Sequence, residues 1–219
     1  MATRFLQQRL FPTLKIGVSA MVARGNQDVP LHVRQSNWDG ACGTYCAAMA
    51  LALLGRISDV TVLSERRKGV AARLWNAARK HYFDGISAAE LVAMIKSLDA
   101  DLYTAHYSGS HRKCIGYTQM LLNAGRLAIV SWLSRSGHDH HWVLVVGTEG
   151  VQEGRAFTPQ TFLVLDPGAS EPQMAGYNGR LRFAPSPSSS GKSHIPYECV
   201  GISTLQVRLT AVVAIGEAR

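Results

Sequence analysis

The segment from Cys42 to Leu54 constrains the fold more than any other part of the chain. It consists mainly of Ala, Met, Leu and other small or apolar residues, and it has no polar face. A helix that is apolar all round is buried on most sides, so the rest of the chain has to cover it. Gly55 follows directly, and glycine is a common residue for ending a helix. We therefore predict a buried helix over residues 42–54.

The rest of the chain shows helical periodicity before Gly125 and strand periodicity after it. Further helices are predicted at about 70–82, after the capping box Ser87-Ala88-Ala89-Glu90, and near 117–123. Strands are predicted at 127–133, 141–147 and 161–165, with one or two more in 202–215. The short spacings and turn residues between these runs predict an antiparallel sheet. Helices first and a sheet afterwards predict an α+β fold in two lobes.

Length and composition indicate one domain with an N-terminal arm. The chain has 219 residues, and 47% of them are hydrophobic, which suffices for one sizeable core. We expect residues 1–34 to form an arm with one or two strands that packs on the domain formed by residues 35–219. The segment Pro185–Lys192 contains four serines and is predicted to be a mobile loop.

The charge distribution argues against a nucleic-acid partner. The net charge is +8, but the basic residues are scattered, and no aromatic residues alternate with them in a stripe. No apolar run approaches the ~18 residues that a membrane-spanning helix needs, so no membrane span is expected.

The cysteine pattern bears on the compartment. Four cysteines without a Cys-x-x-Cys pair do not suggest a disulfide framework. We therefore expect a reducing, cytoplasmic location, with secretion as an effector left open. The sequence makes no prediction of the oligomeric state.

Cys42 and Cys46 lie one helical turn apart at the start of the predicted helix, and their surroundings differ. A thiol attacks as the thiolate, which the positive end of a helix dipole or a neighbouring imidazolium stabilises. Cys42 follows Asp39-Gly40-Ala41, where a polar loop gives way to the helix. Cys46 lies a full turn inside and is flanked by alanines, so burial is expected to keep it neutral. Cys42 is the candidate nucleophile, and Cys46 is the packing thiol.

The base and its partners are expected from the sheet and from the loop before Cys42. His141 opens an apolar strand, and a residue at the start of a rigid strand has a fixed direction. Asp166 ends the following strand, where it could bind the far imidazole nitrogen and hold its tautomer. The Gln35 amide and the Cys42 backbone N–H are candidate donors to a developing oxyanion.

Two other interpretations of these residues stay open. The run containing His138, His140 and His141 could bind a metal such as zinc. Adjacent strand residues point to opposite faces, so one site rarely uses both His140 and His141, and we expect neither a metal nor another cofactor. Cys42 could also be a buried, unreactive thiol, since free cysteine often behaves as a small hydrophobe.

The order of these motifs resembles the papain-like cysteine peptidase superfamily. The matching residues are Gln35, Cys42-Gly43-x-x-Cys46-x-x-Met49, His141-x-Val143-x-x-x-Gly147 and Asp166-Pro167. Within the superfamily, the pattern is similar to the bacteriocin-processing leader peptidases and their stand-alone relatives. The resemblance spans about Gln35 to Gly168. It implies a two-lobe fold with the nucleophile at a helix start and with His and Asp on a C-terminal antiparallel sheet.

The resemblance also implies residue roles and an activity. Cys42 would be the nucleophile, His141 the general base, Asp166 the orienting residue and Gln35 the oxyanion donor. The implied reaction is cleavage of a peptide or isopeptide bond in a protein or peptide substrate through a cysteine acyl-enzyme. Acyl transfer or glutamine deamidation by the same residues, and a non-catalytic binding module, remain alternatives.

Two features depart from the leader-peptidase pattern. Gly40 and Ala41 separate Asp39 from Cys42, whereas the leader peptidases have Asp next to Cys. This difference bears on the geometry of the oxyanion site. No attached exporter membrane segment is expected either, so cleavage of a double-glycine leader is not implied.

Overall fold

The computed structural model describes residues 3–24, 27–184 and 193–218, so the loop predicted over 185–192 lies outside the described residues. Within them the chain is mixed α+β, with four α-helices and eleven β-strands. The helices are α1 (Cys42–Leu53), α2 (Gly69–Ala78), α3 (Ala88–Ser97) and α4 (His111–Asn123). The strands are β1 (Arg4–Leu10), β2 (Leu14–Ile16), β3 (Ala20–Arg24), β4 (Gln27–Pro30), β5 (Leu102–Ser108), β6 (Leu127–Ser134), β7 (His140–Glu153), β8 (Ala156–Leu165), β9 (Gly179–Arg182), β10 (Ile195–Cys199) and β11 (Ile202–Glu217). None of the described helices is long and apolar enough to cross a membrane.

Most of the described strands belong to one antiparallel sheet that closes on itself. The order β6-β7-β8-β9-β10-β11, with β11 pairing back to β6, makes a six-stranded barrel. β1 pairs with the second half of β7, and β5 pairs with the end of β11. Both long strands, β7 and β11, contain register shifts. Such bulges bend a strand and increase its twist, which helps a sheet to close.

Alternate residues of β7 face two different hydrophobic cores. Val143 and Val145 belong to the cluster inside the barrel, to which the other five barrel strands also contribute. Trp142 and Leu144 belong to the cluster beneath α1 and α3. His141 therefore lies on the same side of β7 as Val143, at the beginning of the strand.

α1 is buried on almost every side, as predicted. Each residue from Cys46 to Leu53 is at most 2% exposed. The first turn of α1 lies so close to the barrel that a Cβ on Gly43 would come within 2.5 Å of Ile86 Cγ2 and 3.2 Å of the Trp142 ring. Trp142 donates its indole N–H to the Ile86 carbonyl at 3.0 Å. The close approach of Gly43 to the Trp142 ring sets the distance between the start of α1 and the start of β7.

The α+β class, the antiparallel sheet and the capping box at Ser87 are confirmed. The closure of the sheet into a barrel was not predicted, and the structure shows no clear division into two lobes. β5, β9 and β10 were missed. β9 and β10 are short, and their exposed positions carry charged residues such as Arg182 and Glu198, which form an ion pair across the strands. The expectation of one or two strands in the N-terminal arm was wrong, because four lie between Arg4 and Pro30.

We predict that Gly43→Ala lowers the free energy of unfolding by about 1–3 kcal/mol, because the added methyl group overpacks the contact with Ile86 and Trp142. Gly116→Ala in α4 is the matched control, since nothing lies within 4 Å of a Cβ there. Replacing that helical glycine should stabilise the protein by about 0.5–1 kcal/mol. Urea unfolding of both variants measures the difference. A Gly43→Ala protein as stable as the wild type would contradict the close contact.

Candidate active site

A compact loop places Cys42 at the first residue of α1. The Asp39 carboxylate accepts the backbone N–H groups of Ser36 at 2.9 Å and of Ala41 at 3.1 Å, so the chain turns tightly before the helix. Cys42 is only 7% exposed. Its thiol lies at the end of α1 where the helix dipole favours negative charge.

His141, the second residue of β7, and Asp166, which directly follows β8, form a buried pair. The distance between His141 Nε2 and Asp166 Oδ1 is 2.5 Å. Trp132, the partner of His141 on β6, packs its ring edge-on against the imidazole with centroids 5.3 Å apart. Asp166 is 2% exposed. Because water is largely excluded, the interaction between the two groups is stronger than it would be at the surface.

The pKa values of the two groups shift in the directions that an ion pair requires. Burial alone would lower the pKa of His141, but hydrogen bonds to Asp166 and Cys42, together with the charges of these groups, raise it to about 10. Burial alone would raise the pKa of Asp166, and the hydrogen bond and positive charge of His141 reverse this effect, so that its pKa lies below the ordinary value. At neutral pH the pair is therefore an imidazolium and a carboxylate.

The Cys42 thiol lies beside the hydrogen-bonded pair of His141 and Asp166. The thiol donates to the Gly40 carbonyl at 3.9 Å, and its interaction with His141 is one of the causes of the raised pKa of the imidazole. Nε2 of His141 is already occupied by Asp166. The remaining ring nitrogen, Nδ1, is therefore the one available to the sulfur. The structure thus brings together three candidate residues that come from a helix start, a strand and the end of the next strand.

Gln35 lies in the loop before α1, and part of its amide is engaged within that loop. Nε2 donates to the Asp39 carbonyl at 2.5 Å, and the backbone N–H of Gln35 donates to the Pro167 carbonyl at 2.7 Å. Its Oε1 is buried without a hydrogen-bond partner among the described residues. One hydrogen of Nε2 remains for a ligand. Gln35 therefore links the loop before Cys42 to the turn that follows Asp166.

Three residues that the sequence analysis did not identify hold Asp166. Tyr197 donates its hydroxyl to Oδ2. Asn178 binds the Asp166 main chain on both sides, accepting the N–H with Oδ1 at 2.7 Å and donating from Nδ2 to the carbonyl at 2.9 Å. His32 Nε2 lies 2.8 Å from the same carbonyl oxygen. Asn178 and His32 belong to no motif, and Tyr197 lies on β10, a strand that was not predicted.

The other cysteines differ from Cys42 in their surroundings. Cys46 is fully buried, and its thiol donates to the Trp142 carbonyl at 3.4 Å. Burial raises the pKa of Cys46 well above its ordinary value, and it raises the pKa of Cys114 and of Cys199 to about 11. All four cysteines are free. Cys42 is therefore the cysteine that has an imidazolium partner.

The histidine run at the start of β7 does not gather metal ligands. The side chains of His138 and His140 are exposed, whereas His141 faces Asp166. In the described part of the chain, no group of three His, Cys, Asp or Glu side chains could hold a metal ion.

A surface cavity of ≈ 360 Å³ lies along the loop that leads to Cys42. Its lining residues are Arg34, Gln35, Ser36 and Asn37. A larger cavity of ≈ 400 Å³ is lined by Ser64, Glu65, Arg66, Trp75 and Arg79, and it contains none of the candidate residues. The smaller cavity therefore offers space for a ligand on the side of the site that carries Gln35.

Comparison with known proteins assigns no family to this chain. No family model matches it, and no curated protein matches it. The function is therefore inferred from the residues and geometry of the site.

We predict that iodoacetamide in mildly acidic buffer modifies Cys42 before the other three cysteines, because only Cys42 has an imidazolium partner to stabilise a thiolate. His141→Ala should slow this modification sharply, whereas His140→Ala, the matched control on the exposed side of β7, should leave it unchanged. Peptide mapping by mass spectrometry identifies the modified residue. Equal modification of half-buried Cys199 under these conditions would contradict the pairing.

Proposed function

We propose that the protein is a thiol hydrolase that cleaves a peptide or isopeptide bond through a Cys42 acyl-enzyme. The observation that carries this proposal is the hydrogen-bonded pair of His141 and Asp166, whose imidazole interacts with the Cys42 thiol at the buried start of α1. A nucleophile, a base and a third group that orients the base make up the general arrangement for nucleophilic catalysis. The order of these residues along the chain also resembles the papain-like cysteine peptidases.

We further propose that residues 35–219 form a papain-like domain with a helical lobe and a sheet lobe. Two hydrophobic clusters support this proposal, one between the helices α1 and α3 and the outer face of the sheet, and the other inside the barrel. Cys42 comes from the helical region, His141 from barrel strand β7, and Asp166 from the residue that follows β8. The site would then lie where the two lobes meet.

In the proposed acylation step, the Cys42 sulfur carries the negative charge and His141 carries the proton. Sγ attacks the carbonyl carbon, and the electron pair of the C=O double bond moves to the oxygen. When the tetrahedral intermediate collapses, the C–N bond breaks and the amine leaves with the proton from His141 Nδ1. The product of this step is a thioester on Cys42.

In the proposed deacylation step, neutral His141 accepts a proton from water as the water oxygen attacks the thioester carbon. The C–S bond then breaks, the carboxylic acid leaves, and the Cys42–His141 ion pair is restored. Asp166 keeps its charge in both steps and holds the Nε2–H of His141, which fixes the ring orientation and stabilises the imidazolium.

Two donors are proposed for the oxyanion. The backbone N–H of Cys42 is at the first residue of α1 and has no acceptor within the helix. The second is the remaining hydrogen of Gln35 Nε2, whose other hydrogen is held by the Asp39 carbonyl. That bond fixes the amide, so the donor is oriented before the reaction begins.

The proposed substrate is a protein or peptide, because the cavity that includes Gln35 is open to solvent and could take part of a long chain. A reducing, cytoplasmic location is proposed as well, since the mechanism needs Cys42 in its reduced form and the other three cysteines are also free.

Cleavage of a peptide library tests the proposed function. We expect Cys42→Ala to abolish turnover, because no other group can form the thioester. Cys46→Ala, the matched control one turn along α1, should retain most turnover and lose about 1 kcal/mol of stability. Turnover by Cys42→Ala, or loss of turnover in a folded Cys46→Ala protein, would contradict the assignment.

Mass analysis of the same reactions separates the chemical alternatives. Hydrolysis gives two shorter peptides, acyl transfer joins the acyl fragment to an added amine, and deamidation converts a glutamine without breaking the chain. A protein that binds peptides and leaves all of them unchanged would be a binding module.

We predict that Gln35→Ala lowers kcat by about 10²–10³-fold, the usual cost of losing one oxyanion donor. Iodoacetamide needs no oxyanion site, so it should still modify Cys42 at nearly the wild-type rate in this variant. Trp38→Ala in the same loop is the control for loop disturbance and should change neither rate, because this side chain is 89% exposed and does not line the cavity. Normal turnover by Gln35→Ala would show that the second donor lies elsewhere.

A further inference from the structure

The two oxygens of the Asp166 carboxylate have different partners. Oδ1 accepts hydrogen bonds from His141 Nε2 at 2.5 Å and from the Gly168 backbone N–H at 2.6 Å. Oδ2 accepts a hydrogen bond from the hydroxyl of Tyr197 and a longer one from the Cys199 thiol, at 4.0 Å. Each oxygen of the carboxylate therefore has a donor, and the donor to Oδ2 that is a phenol is Tyr197 on β10.

Packing inside the barrel fixes the side chain of Tyr197 so that its hydroxyl points at the Asp166 carboxylate. The side chain is 1% exposed, and its ring packs on Trp132 with centroids 5.2 Å apart. Gly179 on the neighbouring strand leaves room for the phenol, because a Cβ there would lie 3.1 Å from the hydroxyl oxygen. Trp132 also contacts His141, so one packed unit includes the phenol, the indole and the imidazole.

We propose that Tyr197 is a positioning residue of the site, which binds Oδ2 of Asp166 and thereby keeps Oδ1 directed at Nε2 of His141. This inference rests on the proposed function. Without the hydroxyl, Oδ2 keeps only the weak and more distant Cys199 thiol as a donor, and the carboxylate is freer to rotate about its Cβ–Cγ bond. The Tyr197 hydroxyl binds Asp166 and not the Cys42 sulfur, so it would act on Cys42 through Asp166 and His141.

The Tyr197 hydroxyl also influences the protonation of Asp166. Burial raises the pKa of this carboxyl, whereas the hydrogen bonds from His141, Tyr197 and Gly168 lower it. A donor to the charged form of a carboxyl favours that form. Removing the hydroxyl should therefore raise the pKa of Asp166, and Asp166 would take up a proton at a higher pH.

The other groups around Asp166 leave His141 as its main charged partner. The further titratable groups that face Asp166 are His32 before α1, Cys46 on α1 and Cys199 on β10. Burial lowers the pKa of His32 and raises the pKa of both thiols, so all three are neutral at neutral pH. A change in the Asp166 carboxyl is therefore transmitted mainly to His141.

The pH dependence of Cys42 alkylation tests this inference without a known substrate. Protonation of Asp166 removes the negative charge that stabilises the His141 imidazolium. The rate of Cys42 alkylation should therefore fall as the pH is lowered, and this fall is the acid limb of the pH profile. In Tyr197→Phe this acid limb should lie about one pH unit higher than in the wild type. The control is Tyr177→Phe, which removes a hydroxyl that binds Gln8 and not Asp166. Its acid limb should coincide with that of the wild type. A Tyr197→Phe limb at the wild-type pH would overturn the inference, even if the variant is less stable.

A second variant covers the case in which Tyr197→Phe does not fold. Fluorotyrosine at position 197 is a stronger hydrogen-bond donor of nearly the same size, so it should move the acid limb to lower pH. A limb that stays in place or moves to higher pH would overturn the inference. If wild-type Cys42 itself alkylates like an ordinary thiol, with no acid limb, the proposed function fails and this inference fails with it. An unmoved limb in the variants, by contrast, overturns only the role of Tyr197.

Discussion

The arrangement of the site depends on how closely α1 approaches the barrel at Gly43. Cys42 is the residue before Gly43, and His141 is the residue before Trp142. The contact between Gly43 and Trp142 therefore sets the separation of the Cys42 thiol and the His141 imidazole. A larger residue at position 43 would push the helix start away from β7. The hydrogen bond from Cys46 to the Trp142 carbonyl holds the next turn of α1 to the same strand. Cys46 thus belongs to the packing of α1 against β7.

Asp166 connects the parts of the chain that surround this contact. Its side chain binds His141 and Tyr197, and its main chain binds Asn178 and His32. His32 precedes the loop of Cys42, so the hydrogen bond ties that loop to the barrel. A buried carboxylate would be costly without partners, and here the donors around it offset that cost. The same donors restrict its orientation, which is what a group that orients a base requires.

The sequence predicted those parts of the structure that local patterns determine. The apolar run from Cys42 identified α1, and the change of period near Gly125 identified the strands β6, β7, β8 and β11. The order of Cys42, His141 and Asp166 suggested the candidate residues, of which His141 and Asp166 are hydrogen-bonded in the structure. It did not predict the barrel, because closure depends on pairing between distant strands and on bulges in β7 and β11. Tyr197 was missed for the same reason. Its contact with Asp166 exists only when β10 is paired into the barrel, and nothing in its local sequence marks it.

The protonation state of His141 is the most direct measure of the central claim that Cys42, His141 and Asp166 act as one charged unit. Nitrogen-15 NMR of the labelled imidazole reports whether each ring nitrogen carries a proton. We expect both nitrogens to be protonated at neutral pH and up to about pH 10, and the pKa to fall in Cys42→Ala because one of the groups that raise it is gone. A single protonated nitrogen at neutral pH, with titration near the ordinary histidine value of about 6.5, would contradict the claim.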